Sequence, residues 1–202
     1  TSFASYQREE AWLWEHLALT RAQVIAGPAE LAARVEALRC EIVQLPRAVS
    51  YVCDQTVEMR ARIATAKAPD GVLDAKIGAG RLQDIELFAQ AGALLVGALA
   101  RDIPAGLAAV RTAGLIDARA QTDLTTAYER LWALQSATRL LSSRPLDPAV
   151  LRAATRVFLI GAVDLPAQND AGDPFEAQLE QFYTRADTII STALDAHMGG
   201  ED

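Results

Sequence analysis

The chain has 202 residues, 51% hydrophobic and 22% charged, enough to bury the core of one domain or a little more, and too apolar for a disordered chain. Acidic residues outnumber basic ones 26 to 19, a formal charge of −7, which argues against nucleic acid as a partner because that binding needs a basic stripe to displace counterions. No apolar run approaches the roughly 18 residues of a membrane span, the N-terminus lacks the basic start and apolar core of a signal peptide, and the two cysteines, Cys40 and Cys53, are not closely paired, so a reduced, cytoplasmic protein is expected.

In chain order, helical periodicity dominates. Phe3, Tyr6, Glu10, Leu13, Trp14, Leu17, Arg21, Val24 and Ile25 share one stripe at 3.6-residue period, stopped by Gly27-Pro28. Trp12 and Leu19 lie on the opposite side of that helix; a helix apolar on two faces is either central in its bundle or covered by another domain. Leu31, Val35, Leu38 and Ile42 predict a second helix ended by Pro46, and Val49, Val52, Cys53, Thr56, Met59 and Ile63 a third. Ala68-Pro69-Asp70-Gly71 is a turn cluster, and 72–80 reads as a loop. Ile85, Phe88, Ala89, Gly92, Leu95, Val96 and Leu99 predict a fourth, strongly apolar helix, followed by a short one over 104–113. Asp117 is placed to cap a long helix through Leu124, Leu131 and Leu141; Asp147-Pro148 signals another, and Asp173-Pro174-Phe175-Glu176 a last one with the spacing of a capping box. No alternating strand pattern of useful length occurs. The expected class is all-α, an antiparallel bundle of about six to eight helices.

Charge is uneven. From Gly161 onward there are nine acids (Asp164, Asp170, Asp173, Glu176, Glu180, Asp187, Asp195, Glu201, Asp202) and one base, Arg185. A solvated acidic face explains this, as does a docking surface for a basic partner. Of 19 bases only Lys67 and Lys76 are lysines. There is no phosphate-binding Gly-x-x-x-x-Gly-Lys loop, no His-Glu-x-x-His zinc helix and no Gly-x-Ser-x-Gly elbow. His16 and His197 have no partner nearby in sequence, so His16 beside Glu15 reads as a surface or interface hydrogen-bonder. Neither cysteine has a local base, and both read as structural thiols. The segment Asp74-Ala75-Lys76-Ile77-Gly78-Ala79-Gly80-Arg81-Leu82-Gln83-Asp84-Ile85-Glu86 stands apart. Two glycines free the backbone ahead of a helix start, where exposed amides attract anions and Lys76 and Arg81 add positive charge. Asp84 and Glu86 lie about 200° apart around that helix, so one can cap it while the other turns to a neighbour. A plain glycine turn, with acids favouring the helix dipole, accounts for the same residues.

Glu9-Glu10-Ala11-Trp12-Leu13-Trp14-Glu15-His16-Leu17-Ala18-Leu19-Thr20-Arg21-Ala22-Gln23-Val24-Ile25-Ala26-Gly27 resembles the Trp-x-Trp-Glu-His-x-Ala-Leu-x-Arg-Ala-Arg segment of the glutamine synthetase adenylyltransferases, the bifunctional adenylyl-transferring and adenylyl-removing enzymes of bacterial nitrogen control. The 74–86 segment, with Gln90 after it, is similar to their Asp-x-Lys-x-Gly-x-Gly-Gly-x-x-Asp-Ile-Glu-Phe motif, and Leu45-Pro46-Arg47 and Glu58-Met59-Arg60 match between them. These four co-linear motifs cover the first half of the chain, 1–114; over 115–202 the resemblance rests on helical character alone. The Trp-Glu-His form points to the C-terminal, adenylylating half of the enzyme.

The resemblance implies an all-helical segment that follows a nucleotidyltransferase domain and supports transfer of AMP from ATP to a tyrosine of glutamine synthetase. ATP and Mg²⁺ would be held by that other domain; no Gly-Ser turn or strand-borne aspartate pair occurs here, and this chain alone is expected to bind neither and to contribute no catalytic residue and no metal ligand. Arg21, Lys76, Asp84 and Glu86 are implied to line a phosphate-facing or interdomain cleft, with Lys76 neutralising phosphate and an acid ordering the loop. Trp12, Glu15, His16 and Leu19 are implied to form the domain interface. The implied partners are the nucleotidyltransferase domain, glutamine synthetase and a PII-type signal protein. Two departures matter: Arg81 replaces the second glycine of the Gly-Gly pair, placing a side chain where open backbone is expected, and Gln23 replaces an arginine. They leave open a second reading, a stand-alone, non-enzymatic helical module that docks glutamine synthetase or a PII-type protein. The chain opens at Thr1, which fits a segment of a longer polypeptide.

Overall fold

The computed structural model describes residues 2–198; Glu201 and Asp202 of the acidic tail lie outside them. The elements are α1 (Ser2–Glu9), α2 (Leu13–Leu19), α3 (Ala29–Val43), α4 (Val49–Ala66), α5 (Leu82–Leu95), α6 (Ile103–Thr112), α7 (Ala118–Leu141), a single 3-10 turn (Pro148–Val150), α8 (Ala153–Val163) and α9 (Phe175–Asp195). Among the described residues there is no strand, only an isolated bridge between Gln168 and Pro174. The all-α class is as the sequence predicts. No helix among the described residues is long and apolar enough to cross a membrane.

The extra helix arises at the N-terminus, where one helix was expected and two form. The amides of Glu10 and Ala11 both close on the Tyr6 carbonyl at 2.9 Å, Trp12 is extended (φ −75°, ψ 155°), and α2 restarts at Leu13. The break is held by Glu15, whose carboxylate accepts the Trp12 amide at 3.1 Å and the Tyr6 hydroxyl at 2.7 Å. A residue three positions into a helix that reaches back to the first free amide stabilises that start. The stripe hides the break because Leu13 and Leu17 stay buried after it. Likewise α5 stops at Leu95, before Leu99, and Asp147 caps only the 3-10 turn, accepting the Ala149 amide at 2.9 Å before Leu151 and Arg152 extend. Asp117 does cap α7 through the Ala120 amide at 2.8 Å. Asp173 accepts from the side chains of Asn169 and Gln181, and Glu176 pairs with Arg156 at 2.6 Å.

The chain divides into two compact units that draw on both sides of residue 114. Among the described residues the first comprises 2–59, 86–121 and 192–198. In it α3 packs on α1 and α2, around buried Leu13, Leu17, Ile42, Val52, Phe88, Leu107 and Val110. Helices α5 and α6 approach closely there: a Cβ on Gly92 would lie 2.3 Å from Val110 Cγ2 and 2.5 Å from Val110 N. Cys53 is buried and its thiol is pushed up to about 11 by that burial, while Cys40 is half-buried; both are free. The second unit comprises 60–85 and 122–191, with a core of Leu82, Ile85, Leu124, Leu131, Leu134, Leu159, Phe175 and Leu179.

Candidate functional site

The residues that the motifs single out are largely one another's partners. In the first unit, His16 Nε2 donates to the Gln7 carbonyl at 3.0 Å and Nδ1 accepts from Arg47 Nη2 at 3.1 Å, a neutral tautomer assigned from its partners. Burial holds the His16 imidazole below its usual 6.5, and Arg47 adds to this. The same Arg47 closes the end of α3, donating to the carbonyls of Ile42 (2.8 Å) and Leu45 (2.6 Å). The Trp-Glu-His and Leu-Pro-Arg motifs thus meet at one ring. Arg21 and Glu86, from the first and last motifs, stand 3.7 Å apart with each side chain about a third exposed (33% and 28%), a weak pair worth less than about 1 kcal/mol.

In the second unit, Asp84 (8% exposed) receives Arg60 from both sides, Nε to Oδ1 at 2.6 Å and Nη2 to Oδ2 at 2.9 Å. Arg60 Nη2 reaches Asp187 at 2.7 Å as well, and Nη1 donates to Ser191 Oγ at 3.0 Å. This joins the Glu-Met-Arg motif to the Asp-Ile-Glu motif. Asp84 Oδ2 also accepts the Gly80 amide at 2.8 Å, so Asp84 is the acid that caps and Glu86 the one that turns away. Gly80 sits at φ +66°, and a Cβ there would fall 1.9 Å from the Tyr183 carbonyl oxygen; only glycine fits.

The amides at the start of α5 are therefore not open to an anion. Gly80 N–H goes to Asp84, Arg81 N–H to the Gly78 carbonyl, Leu82 N–H to Ala75 and Gln83 N–H to Lys76. Backbone groups this enclosed need partners, and the loop supplies them from within. Arg81 likewise does not occupy open backbone. It stays out of the left-handed region, and its guanidinium folds under the loop onto the carbonyls of Gly71 (2.9 Å) and Asp74 and over the Tyr183 ring, 4.1 Å from the centroid. Tyr183, pushed up to about 12 by burial, donates its hydroxyl to Val72 O at 2.8 Å. Burial alone would raise the Asp74 carboxyl, but the amides of Asp70, Lys76 and Ile77 hold it below its ordinary 3.8.

Of the charged residues the motifs nominate (Glu15, His16, Arg21, Lys76, Asp84, Glu86), Lys76 alone carries a side-chain charge with no protein partner among the described residues. It is exposed and lines a pocket of about 140 Å³ with Lys67 at the end of α4, Asp70 and Asp74 of the loop, and Gln135, Thr138, Arg139, Ser142 and Arg144 at and beyond the end of α7. Lys67, Arg139 and Arg144 lay outside the sequence-based candidates; only the rarity of lysine pointed to the first. Among the nominated interface residues, Trp12 is 59% exposed and the neighbouring Trp14 47%. Leu19 lines an apolar hollow of about 230 Å³ with Phe3, Val35 and Leu38, whereas Glu15 and His16 face inward on the bonds given above. Among the described residues no group of three or more His, Cys, Asp or Glu side chains is arranged to hold a metal ion.

The family model described as glutamate-ammonia ligase adenylyltransferase matches residues 1–38. Bifunctional glutamine synthetase adenylyltransferase/adenylyl-removing enzymes are similar over far more. That of Rhodopseudomonas palustris (strain TIE-1) is 38% identical over 157 residues, 78% of this chain and 14% of the relative. That of Rhizobium meliloti (strain 1021) is 39% identical over 177 residues, 82% of this chain and 17% of the relative. That of Chromobacterium violaceum is 37% identical over 157 residues, 73% of this chain and 17% of the relative. The chain spans about a sixth of the length of these relatives. A match over 78% of the chain includes Lys76 wherever it begins and runs past residue 114, so the likeness extends into the half that the motifs left unassigned.

Proposed function

This chain is a segment homologous to the bifunctional glutamine synthetase adenylyltransferase/adenylyl-removing enzymes, and from that premise we propose that it is the helical part that follows and supports the adenylylating domain, aiding transfer of AMP from ATP to a tyrosine of glutamine synthetase. The observation that carries this reading is the identity over most of the chain, across motifs whose charged residues bond to one another and leave Lys76 turned outward. Asp84, with Arg60, orders the 74–86 loop; Arg21 and Glu86 fasten the start of the chain to α5; Lys76 meets phosphate. Trp12, Trp14 and Leu19 form the face that the nucleotidyltransferase domain covers. ATP and Mg²⁺ belong to that domain, and glutamine synthetase is the partner the reading requires. A PII-type signal protein follows only from the resemblance, and a cytoplasmic setting accords with two free thiols. The stand-alone binding module has no support among the relatives, each named as a bifunctional enzyme.

The test is made in a full-length enzyme containing this segment. Lys76→Ala is expected to lower the rate of glutamine synthetase adenylylation about tenfold or more, since a charged contact to phosphate is worth about 1.5–3 kcal/mol. Because the side chain is exposed, the melting free energy should move by less than about 0.5 kcal/mol. Undiminished adenylylation would remove Lys76 from the reading, and undiminished adenylylation after deletion of the whole segment would remove the reading itself.

A further inference from the structure

We propose that the pocket between the end of α4, the 72–77 loop and the end of α7 is a binding site for a small phosphate-type anion of phosphate to diphosphate size. The site lies wholly within the second unit. Four cations line it, Lys67, Lys76, Arg139 and Arg144, against two acids, Asp70 and Asp74, in a chain whose formal charge is −7. Both lysines of the sequence are here. Asp74 is already engaged by the backbone: its two oxygens accept the amides of Asp70, Lys76 and Ile77. Arg139 places one donor on the Ser143 carbonyl, 3.2 Å away, which closes the end of α7 and leaves the rest of its fork free. Among the described residues the side chains of Lys67, Lys76 and Arg144 have neither an ion pair nor a hydrogen bond to protein.

Four cations against two acids leave the pocket with an excess of positive charge, and an anion between the cations offsets their repulsion while gaining charge-assisted hydrogen bonds. On the same wall the Ser142 hydroxyl, which accepts the Arg144 amide at 3.0 Å, keeps its proton to donate. Size sets the class of ligand. A volume of about 140 Å³ is several times what one water needs and well below the roughly 300–1,000 Å³ that encloses a drug-sized molecule. A phosphate or diphosphate fits; a nucleoside would project into solvent, so the anion comes either free or as the tail of a nucleotide. This deepens the role given to Lys76 and rests on that reading for that residue only.

Isothermal titration of the full chain, without divalent metal, with inorganic phosphate, diphosphate, AMP and ATP tests the assignment, with acetate as a singly charged control. Diphosphate is expected to bind more tightly than phosphate, with affinity that falls as salt is raised, and Lys76→Ala and Arg144→Ala are each expected to weaken it about tenfold. ATP binding like diphosphate, with AMP much weaker, would make the natural source a nucleotide tail; diphosphate alone would make it a free anion. No heat from any phosphate, or binding unchanged by both substitutions in variants that melt like the parent, overturns the site. Loss of adenylylation in full-length Lys76→Ala together with no phosphate binding here would keep the proposed function and discard the pocket, and the converse pair of results would do the reverse.

Discussion

A carboxylate as enclosed as Asp84 depends on its partners, because burying an ion unpaired costs more than packing returns. Arg60 fills that need through two parallel bonds and reaches Asp187 besides. Arg60→Ala should therefore destabilise the fold by about 3–5 kcal/mol in a urea melt, and Arg60→Lys should restore only part of that, since an ammonium cannot reproduce the two-pronged contact. His16 makes the complementary case. Its imidazole is neutral in the folded state and held below 6.5 by burial. The unfolded chain therefore takes up the proton first as the pH falls. The stability tied to His16 is complete above the unfolded value and declines below about 6.5. Denaturant melts between pH 7.5 and 5 should show that decline, and a His16→Gln variant should show less of it.

At the scale of the elements, the contact of α5 with α6 depends on the absence of one methyl group. Gly92→Ala would drive a Cβ to 2.3 Å from Val110 Cγ2 and should cost about 1–3 kcal/mol. Gly161, inside α8 with nothing within 4 Å of the same atom, should tolerate alanine or gain up to about 1 kcal/mol from it. Thermal melts of the two variants separate packing from propensity. The ease of reading an element from sequence follows the same division. α3, α4, α6 and α7 were legible because periodicity and terminators agree at both ends. The split between α1 and α2 was not, since the helix breaks at Glu10–Trp12 while Leu13 and Leu17 stay buried on the predicted stripe, and the device responsible is a hydroxyl, Tyr6, nine residues from its carboxylate. Asp147-Pro148 is a true cap on a helix that then fails to grow.

Across the whole molecule, the all-α class was legible, but the two compact units were not, because each is assembled from separated stretches. The candidate site shows the same limit. The resemblance of the 74–86 segment marked Lys76, Asp84 and Glu86, yet it could not show that Asp84 meets Arg60 or that Lys76 lines one pocket with Lys67 and Arg144, neighbours that exist only once α4 and α7 have closed on the loop. What the resemblance did mark were the motifs themselves, and the structure joins them in pairs: His16 holds Arg47, Arg60 holds Asp84, Arg21 faces Glu86. The deepest of these pairs also shapes descent. A lineage that changes Asp84 or Arg60 singly must pass through an ancestor with a stranded internal charge, so the two positions are expected to change together or not at all, which an alignment of relatives would check.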